Sequence, residues 1–215
     1  MQFRFRKWVG AVPVLRACVL LAMALPVASA YSASKTVLVL GDSLSAEYGL
    51  VRGTGWVALL QTRLEQEKLD VALVNASISG ETTSGGATRL PQLLKQHPSV
   101  VVIELGANDG LRGLSLHAAE ANLKAMIAAA QAAHAKVILV GMRLPPNYGP
   151  DYGDNFAGLF ARLAKESKTA LVPFLLEGMA DQPQLFQSDH LHPIASAEPV
   201  LLNNVWPVLK QTLAK

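Results

Sequence analysis

The chain has 215 residues, of which 51% are hydrophobic and 16% charged, and it contains 16 Gly, 12 Pro and one Cys. These values exclude disordered, collagen-like and disulfide-stapled proteins. The formal charge of +3 does not indicate nucleic-acid binding, because four of the 19 basic residues lie among the first thirty residues, where no acid occurs. The remaining 15 basic and 16 acidic residues nearly balance, which leaves no basic excess for DNA or RNA.

The first thirty residues have the pattern of a secretory signal. A basic stretch over residues 1–16 precedes an apolar run over residues 17–27, and Ala28, Ser29 and Ala30 are small residues of the kind that a signal peptidase reads. We therefore predict a signal peptide over residues 1–30 that is removed, a single domain over residues 31–215, and a periplasmic or secreted location. A retained membrane anchor is the alternative, but the apolar run is short for the ~30 Å of a bilayer core, so we expect no stable anchor.

From residue 31 onward, short apolar runs alternate with longer segments of helical periodicity, which is typical of βαβ units. The apolar runs predict strands at residues 36–40, 71–75, 100–105, 137–141 and 170–174. The remaining segments predict helices at residues 55–68, 88–96, 115–133, 154–168 and 195–213, with Asp154 as the N-cap of the fourth. We expect an α/β protein, a three-layer α/β/α sandwich with a five-stranded parallel sheet of flavodoxin-like order. Sites in such sheets form beyond the carboxyl ends of the strands.

A serine follows the first predicted strand directly. Ser43 lies in the segment 41–45, Gly-Asp-Ser-Leu-Ser, on a predicted tight turn from strand to helix. This position suits a nucleophile, although a serine there also serves as an ordinary helix cap. The segment is not the Gly-x-Ser-x-Gly elbow of the α/β-hydrolases, because Ser45 stands at its last position.

A possible base for this serine lies near the other end of the chain. Asp189 and His192 are three residues apart, so that on a helical turn the carboxylate holds one ring nitrogen and leaves the other free. The spacing favours His192 over His190 as the base. One alternative is a metal site formed by these three residues, for which the sequence supplies no further ligand cluster. The other is that Asp189 only caps a helix.

Two polar segments after other strands are candidates for the donors that stabilise an oxyanion. Gly80 lies in the loop after the second strand, where the absence of a side chain lets a backbone N–H approach a ligand. Asn108 follows the third strand and offers a side-chain amide. Each residue type is also a common turn former, and only their joint placement favours a site.

In these four segments the chain resembles the SGNH (GDSL) hydrolase superfamily, whose blocks match residues 41–45, Gly80, residues 106–109 and residues 189–192. Longer matches over residues 74–80, 104–113 and 143–149 make it most similar to the bacterial periplasmic group of multifunctional thioesterase I, lysophospholipase and arylesterase. The resemblance implies that Ser43 is the nucleophile, His192 the base and Asp189 its orienting acid. It places the oxyanion donors on the N–H groups of Ser43 and Gly80 and on the Asn108 amide, and it implies no cofactor and no metal.

Two residues depart from the pattern of this group. Glu81 stands where Asp is frequent, and Glu47 stands where a small residue is common. The first change should matter little, whereas the second could alter the mouth of the site.

The resemblance implies a serine esterase and thioesterase that hydrolyses acyl-CoA, aryl esters and lysophospholipids through an acyl-enzyme on Ser43. The apolar loops beside the predicted oxyanion donors suit a fatty acyl chain, unless their leucines merely cover the edge of the sheet. We expect substrate contacts from Leu44, Asp109, Gly110, Leu111, Leu144, Pro145 and Tyr148. The alternatives are a carbohydrate O-acetylesterase and a non-enzymatic lipid carrier of the envelope. The expected partner is a small acyl ester or thioester, and the expected state is a monomer.

Overall fold

The computed structural model describes residues 1–2 and 35–214. The residues from 35 onward belong to one compact unit, Ala33–Lys215. The predicted signal peptide falls almost wholly outside the described residues and stays a prediction. No helix in the described part of the chain has the length and hydropathy needed to cross a membrane.

Five parallel strands form one sheet in the order β2-β1-β3-β4-β5. This is the flavodoxin-like order predicted from the sequence, and the α/β class is confirmed. The central strand, β3, is buried along its whole length, as expected for a strand covered by helices on both faces. The strands are β1 Lys35–Gly41, β2 Val71–Asn75, β3 Val100–Glu104, β4 Lys136–Val140 and β5 Ala170–Val172.

Helices cover the sheet in two layers. One layer pairs the first helix with the last, and in the other layer the fourth helix packs against both the second and the fifth. The helices are α1 Trp56–Gln66, α2 Thr83–Leu93, α3 Ala107–Leu111, α4 Leu116–Ala132, α5 Pro150–Ser167 and α6 Glu198–Ala214. Short 3₁₀ turns occur at Leu94–Gln96, Pro146–Tyr148, Pro183–Leu185 and Ala195–Ala197.

Two helix starts differ from the predicted ones by four or five residues. The second helix begins five residues early because the Thr82 hydroxyl accepts a hydrogen bond from the Gly85 N–H and caps it there. The helix predicted at residues 154–168 is α5, which begins at Pro150, because a proline ring suits the first helical position. Asp154 therefore lies inside this helix and does not cap it. The five-residue α3 was not predicted, and no helix follows Ser43, because residues 43–49 form consecutive turns.

The register of β1 against β3 positions the site. Gly41 at the end of β1 pairs with Glu104 at the end of β3, so the loops after these two strands leave the sheet side by side. A Cβ added at Gly41 would lie 2.6 Å from a Glu104 carboxyl oxygen and 2.7 Å from the Ser45 hydroxyl, a contact that real side chains do not make. Glycine is therefore required at this point, directly before the turn that carries Ser43.

Candidate active site

The structure brings Ser43 and His192 together from loops 149 residues apart in sequence, with 2.8 Å between Ser43 Oγ and His192 Nε2. Ser43 follows β1, and His192 lies in the loop before α6. The loop around His192 is closed by hydrogen bonds from the Gln187 N–H to the His192 carbonyl, at 2.7 Å, and from the His190 N–H to the Gln187 carbonyl, at 2.9 Å. The 2.8 Å between Ser43 Oγ and His192 Nε2 is a distance at which an imidazole can take the proton of a hydroxyl group.

Asp189 holds the other side of the same imidazole. One of its carboxylate oxygens lies 2.7 Å from His192 Nδ1, and the other accepts the N–H groups of Leu191 and His192, each at 3.0 Å. Burial acts to raise the pKa of Asp189, but these backbone hydrogen bonds and the imidazole outweigh it and lower the pKa to about 2. The pair lies in an irregular turn rather than the expected helical turn, with His190 between its members at a φ of +58°.

The three predicted oxyanion donors lie at the same cavity. Within the described residues, the backbone N–H groups of Ser43 and Gly80 have no hydrogen-bond acceptor, so both are free for a ligand. The Asn108 amide donates to Asp42 Oδ2 at 3.1 Å and to the Glu81 carbonyl at 3.0 Å. Asn108 must therefore exchange one of these contacts before it donates to an oxyanion.

Asp42 lies beneath this cluster, 1% exposed, with one oxygen on Asn108 and the other accepting the Leu44 N–H at 3.1 Å. Burial raises the pKa of Asp42 to about 6, against the opposing effects of the Leu44 and Asn108 hydrogen bonds and of His192. Asp42 therefore fixes both the start of the nucleophile turn and the orientation of the Asn108 amide.

Glu104 is a site residue that the sequence reasoning missed. Its side chain is fully buried, and Oε2 accepts the Asp42 N–H at 3.2 Å and the Ser45 hydroxyl at 2.7 Å. Its other oxygen, Oε1, has no partner within the described residues. Burial, reinforced by the negative charge of Asp42, raises the pKa of Glu104 well above its usual value. The only sequence signal was an acid at the end of an otherwise apolar strand.

Two arginines hold the loop that carries Gly80. Arg89 lies 2.8 Å from the Glu81 carboxylate and donates to the Ala76 carbonyl at 2.9 Å. Arg112 donates to the Gly80 carbonyl at 3.0 Å. Glu81, which departs from the family pattern, is thus the partner of Arg89, and its own carbonyl accepts the Asn108 amide. These contacts fix the Gly80 peptide on both sides.

The second departure, Glu47, does not line the cavity. Its carboxylate accepts the N–H groups of Gly53 and Gly55, both at 2.9 Å, just before α1. Glu198 accepts the next N–H, that of Trp56, at 2.7 Å. Two carboxylates therefore cap α1 in place of a side-chain N-cap. Burial, together with the charge of Glu47, raises the pKa of Glu198 to about 7 despite the Trp56 hydrogen bond.

A cavity of about 740 Å³ opens at Ser43 and His192. Four of the predicted substrate contacts lie on its wall, namely Leu44, Leu111, Leu144 and Pro145. Further apolar residues on this wall were not predicted: Ala107, Met142, Pro146, Phe174, Leu176, Ala180 and Phe186. Ala107 follows β3, the others follow β4 or β5 or lie near His192, and only the fold shows that these segments meet.

Three predicted substrate contacts do not lie on the cavity wall. Asp109 is buried and accepts the Thr83 N–H and hydroxyl, at 2.9 and 2.6 Å, which ties α2 to α3. Gly110 is buried, and a Cβ there would lie 2.8 Å from the Leu144 side chain. Tyr148 directs its hydroxyl to the Leu111 carbonyl, at 2.7 Å, and so supports a wall residue from behind.

The GDSL-like lipase/acylhydrolase family matches residues 39–197 of this sequence. The chain belongs to this family. It is 50% identical over 192 residues to the esterase TesA of Pseudomonas aeruginosa, a match that covers 89% of this chain and 96% of that protein. It is 43% identical over 171 residues to the thioesterase 1/protease 1/lysophospholipase L1 of Escherichia coli K12, covering 79% of this chain and 81% of that protein.

The fold agrees with the same assignment. The crystal structure of TesA matches with a TM-score of 0.81 and 52% identity, over 83% of this chain and 99% of that one. The predicted membership of the SGNH hydrolases and the prediction of an esterase or thioesterase hydrolase are confirmed by these matches. The catalytic roles of the individual residues stay predictions that their geometry permits.

Proposed function

We propose that the chain hydrolyses acyl esters and thioesters through an acyl-enzyme on Ser43. The observation that carries this proposal is the continuous hydrogen-bonded line from Ser43 Oγ through both nitrogens of His192 to Asp189, at 2.8 and 2.7 Å. Such a line activates a serine as a nucleophile, since a free hydroxyl is a weak one. The two free N–H groups beside it supply the oxyanion donors.

The reaction runs in two halves. Ser43 Oγ attacks the carbonyl carbon while its proton passes to His192 Nε2, and the carbonyl electrons move to the oxygen held by the N–H groups of Ser43 and Gly80. The oxyanion then collapses, the bond to the leaving oxygen or sulfur breaks, and His192 gives that atom the proton. Water repeats the sequence on the acyl-enzyme and restores Ser43. Asp189 stays ionised throughout and stabilises the imidazolium.

The cavity wall favours fatty acyl groups over sugars. Its side chains are mainly aliphatic and aromatic, and its volume of about 740 Å³ lies in the range of sites for drug-sized ligands. Acyl-CoA, aryl esters and lysophospholipids fit this chemistry, and the similarity to an esterase and to a thioesterase/lysophospholipase supports them. A carbohydrate O-acetylesterase would use the same residues, but it would need a more polar wall.

The location and assembly of the protein are part of the same proposal. The signal pattern over residues 1–30 supports export to the periplasm or beyond the cell, and the exported chain acts as a monomer. Oxygen esters and lysolipids, rather than acyl-CoA, are then the substrates it meets. Cell fractionation with N-terminal sequencing, and light scattering on the mature chain, test these two points.

The nucleophile is tested by labelling. A fluorophosphonate should modify wild type on the peptide that contains Ser43, and Ser43→Ala should abolish both the label and hydrolysis of p-nitrophenyl esters. The matched control is Ser84→Ala, an exposed serine in α2, which should label normally. Hydrolysis that persists in folded Ser43→Ala, or a label on another serine, would contradict the proposal. In parallel assays with an acetylated sugar and with p-nitrophenyl esters of increasing chain length, a preference for the sugar would favour the O-acetylesterase.

A further inference from the structure

The direction of proton transfer defines where a leaving group must lie. His192 Nε2 receives the Ser43 proton and must return it to the leaving atom, so that atom departs on the side of Ser43 that faces the imidazole. A side chain that borders the His192 ring and lines the cavity is therefore placed beside the path of the leaving group. The side chain in ring contact with His192 is Tyr48, with 4.4 Å between ring centroids and 40° between ring planes.

Tyr48 lines the cavity and is half exposed, with 50% of its surface accessible. An aromatic ring that remains open to water beside a catalytic group has an unused apolar face. Neighbouring Leu191 is 40% exposed and lines the same cavity, so Tyr48 and Leu191 together offer apolar surface beside His192. This surface suits a planar, uncharged group better than an ion.

The position of Tyr48 is held from both loops of the site. Its N–H donates to the Ser43 carbonyl at 3.3 Å, and its carbonyl accepts the Gln187 side-chain amide at 2.9 Å. The same amide donates to the Pro193 carbonyl, also at 2.9 Å, so Gln187 joins the turn after the nucleophile to the loop that carries His192. Gly49 has a φ of +72°, and a Cβ there would lie 2.1 Å from Gln187 Oε1, so this approach requires glycine.

We propose that the Tyr48 ring forms a leaving-group subsite, on which the planar ring of an aryl ester or aryl thioester stacks as it departs. This inference rests on the proposed function of Ser43 and His192 and names the leaving-group class that the site prefers. An aromatic pair contributes about 0.5–1.5 kcal/mol beyond the area it buries. That range corresponds to a change of about 2- to 12-fold in kcat/KM for aryl substrates.

The experiment compares two activated esters with one acyl group, phenyl butanoate and 2,2,2-trifluoroethyl butanoate. Tyr48→Leu removes the ring and keeps an apolar side chain, whereas Tyr48→Phe keeps the ring. The ratio of kcat/KM for the phenyl ester to that for the trifluoroethyl ester should fall about 2- to 12-fold in Tyr48→Leu and stay near the wild-type value in Tyr48→Phe. Val51→Leu, at an exposed position on the same loop that is not on the cavity wall, is the matched control.

An unchanged ratio in Tyr48→Leu would overturn the subsite. A fall in both kcat/KM values by the same factor would show that the ring merely positions His192. If Tyr48→Leu does not fold, inhibition of wild type decides the matter: phenol should compete more strongly than cyclohexanol, and equal inhibition would overturn the proposal. Failure of the proposed function looks different, since hydrolysis of both esters would then survive Ser43→Ala.

Discussion

The buried acid beneath the nucleophile turn gives the sharpest test of how the site is built. Glu104→Ala deletes the acceptor for the Asp42 N–H and the Ser45 hydroxyl, whereas Glu104→Gln keeps an acceptor oxygen in the same place. The amide NH₂ of glutamine then takes the position of Oε1. If Glu104 is a neutral acid in the folded protein, glutamine reproduces it closely.

The magnitude follows from the two donors left unsatisfied. A buried polar group without its partner costs about 1–3 kcal/mol, so the pair costs about 2–6 kcal/mol in Glu104→Ala. Relief of the burial of Oε1, which has no partner within the described residues, offsets part of this cost. We expect Glu104→Ala to lower the free energy of unfolding by about 2–5 kcal/mol and Glu104→Gln to change it by about 1 kcal/mol or less.

The pH dependence gives a second measurement. Burial and the charge of Asp42 raise the pKa of Glu104 in the folded state, so the folded protein binds this proton more tightly than the unfolded chain. Stability from this group is therefore complete below the unfolded pKa and is lost as the pH rises through the folded pKa, at about 1.4 kcal/mol per pH unit. Asp42 also loses stability as the pH rises, because burial raises its pKa; the charge of His192 opposes this increase in pKa and that of Asp109 adds to it. Glu104→Gln should remove the Glu104 part alone.

Urea unfolding, followed by tryptophan fluorescence at several pH values, gives the free energy of unfolding of wild type, Glu104→Ala and Glu104→Gln. If Glu104 is neutral in the folded protein, the free energy of unfolding of Glu104→Gln should be close to that of wild type at low pH. As the pH rises, it should exceed that of wild type by a growing amount. If instead Glu104→Gln is destabilised as much as Glu104→Ala, the carboxylate is ionised in the folded protein and the interpretation is wrong.

The other predictions concern catalysis and the cap of α1. Asp189→Asn should lower kcat by about 10⁴-fold with little change in KM, as the same exchange does in a serine protease, because the carboxylate no longer orients His192. An equal rise in KM would contradict this. Asn108→Ala should lower kcat by about 10²–10³-fold if its amide leaves Asp42 or Glu81 for the oxyanion, and steady-state kinetics with an unchanged kcat would exclude that role. Burial raises the pKa of Glu198 from 4.5 to about 7, so wild type should lose stability as the pH rises across this interval. Glu198→Gln should lose less stability across this interval in thermal unfolding, because only other buried acids such as Asp42 and Glu104 then contribute. A loss as large as that of wild type would refute the assignment.

Local patterns predicted the sheet well. Continuous runs of β-branched and apolar residues place all five strands within about two residues of their observed ends, and alternation with helical segments predicts their parallel arrangement. Helix starts were predicted less well, because a single cap such as Thr82, or a proline such as Pro150, outweighs the periodicity of the helix that follows.

The residues of the site likewise fall into those that the sequence predicted and those that only the structure showed. Ser43, Asp189, His192, Gly80 and Asn108 were predicted because each follows a strand or lies in a short recognisable segment. Four other residues have roles that only tertiary contacts show: Glu104 under Ser45, Arg89 on Glu81, Tyr48 against His192, and Gln187 between two loops.

By itself, the sequence determined the order of strands and helices and the residue types that could carry the chemistry, since both depend on short-range periodicity and on side-chain identity. Only the tertiary structure decided which groups meet at 2.8 Å, which acids are buried, and which loops form the cavity. The physical reason is that these properties depend on desolvation and contact between residues up to 149 positions apart, and no window along the chain contains both partners.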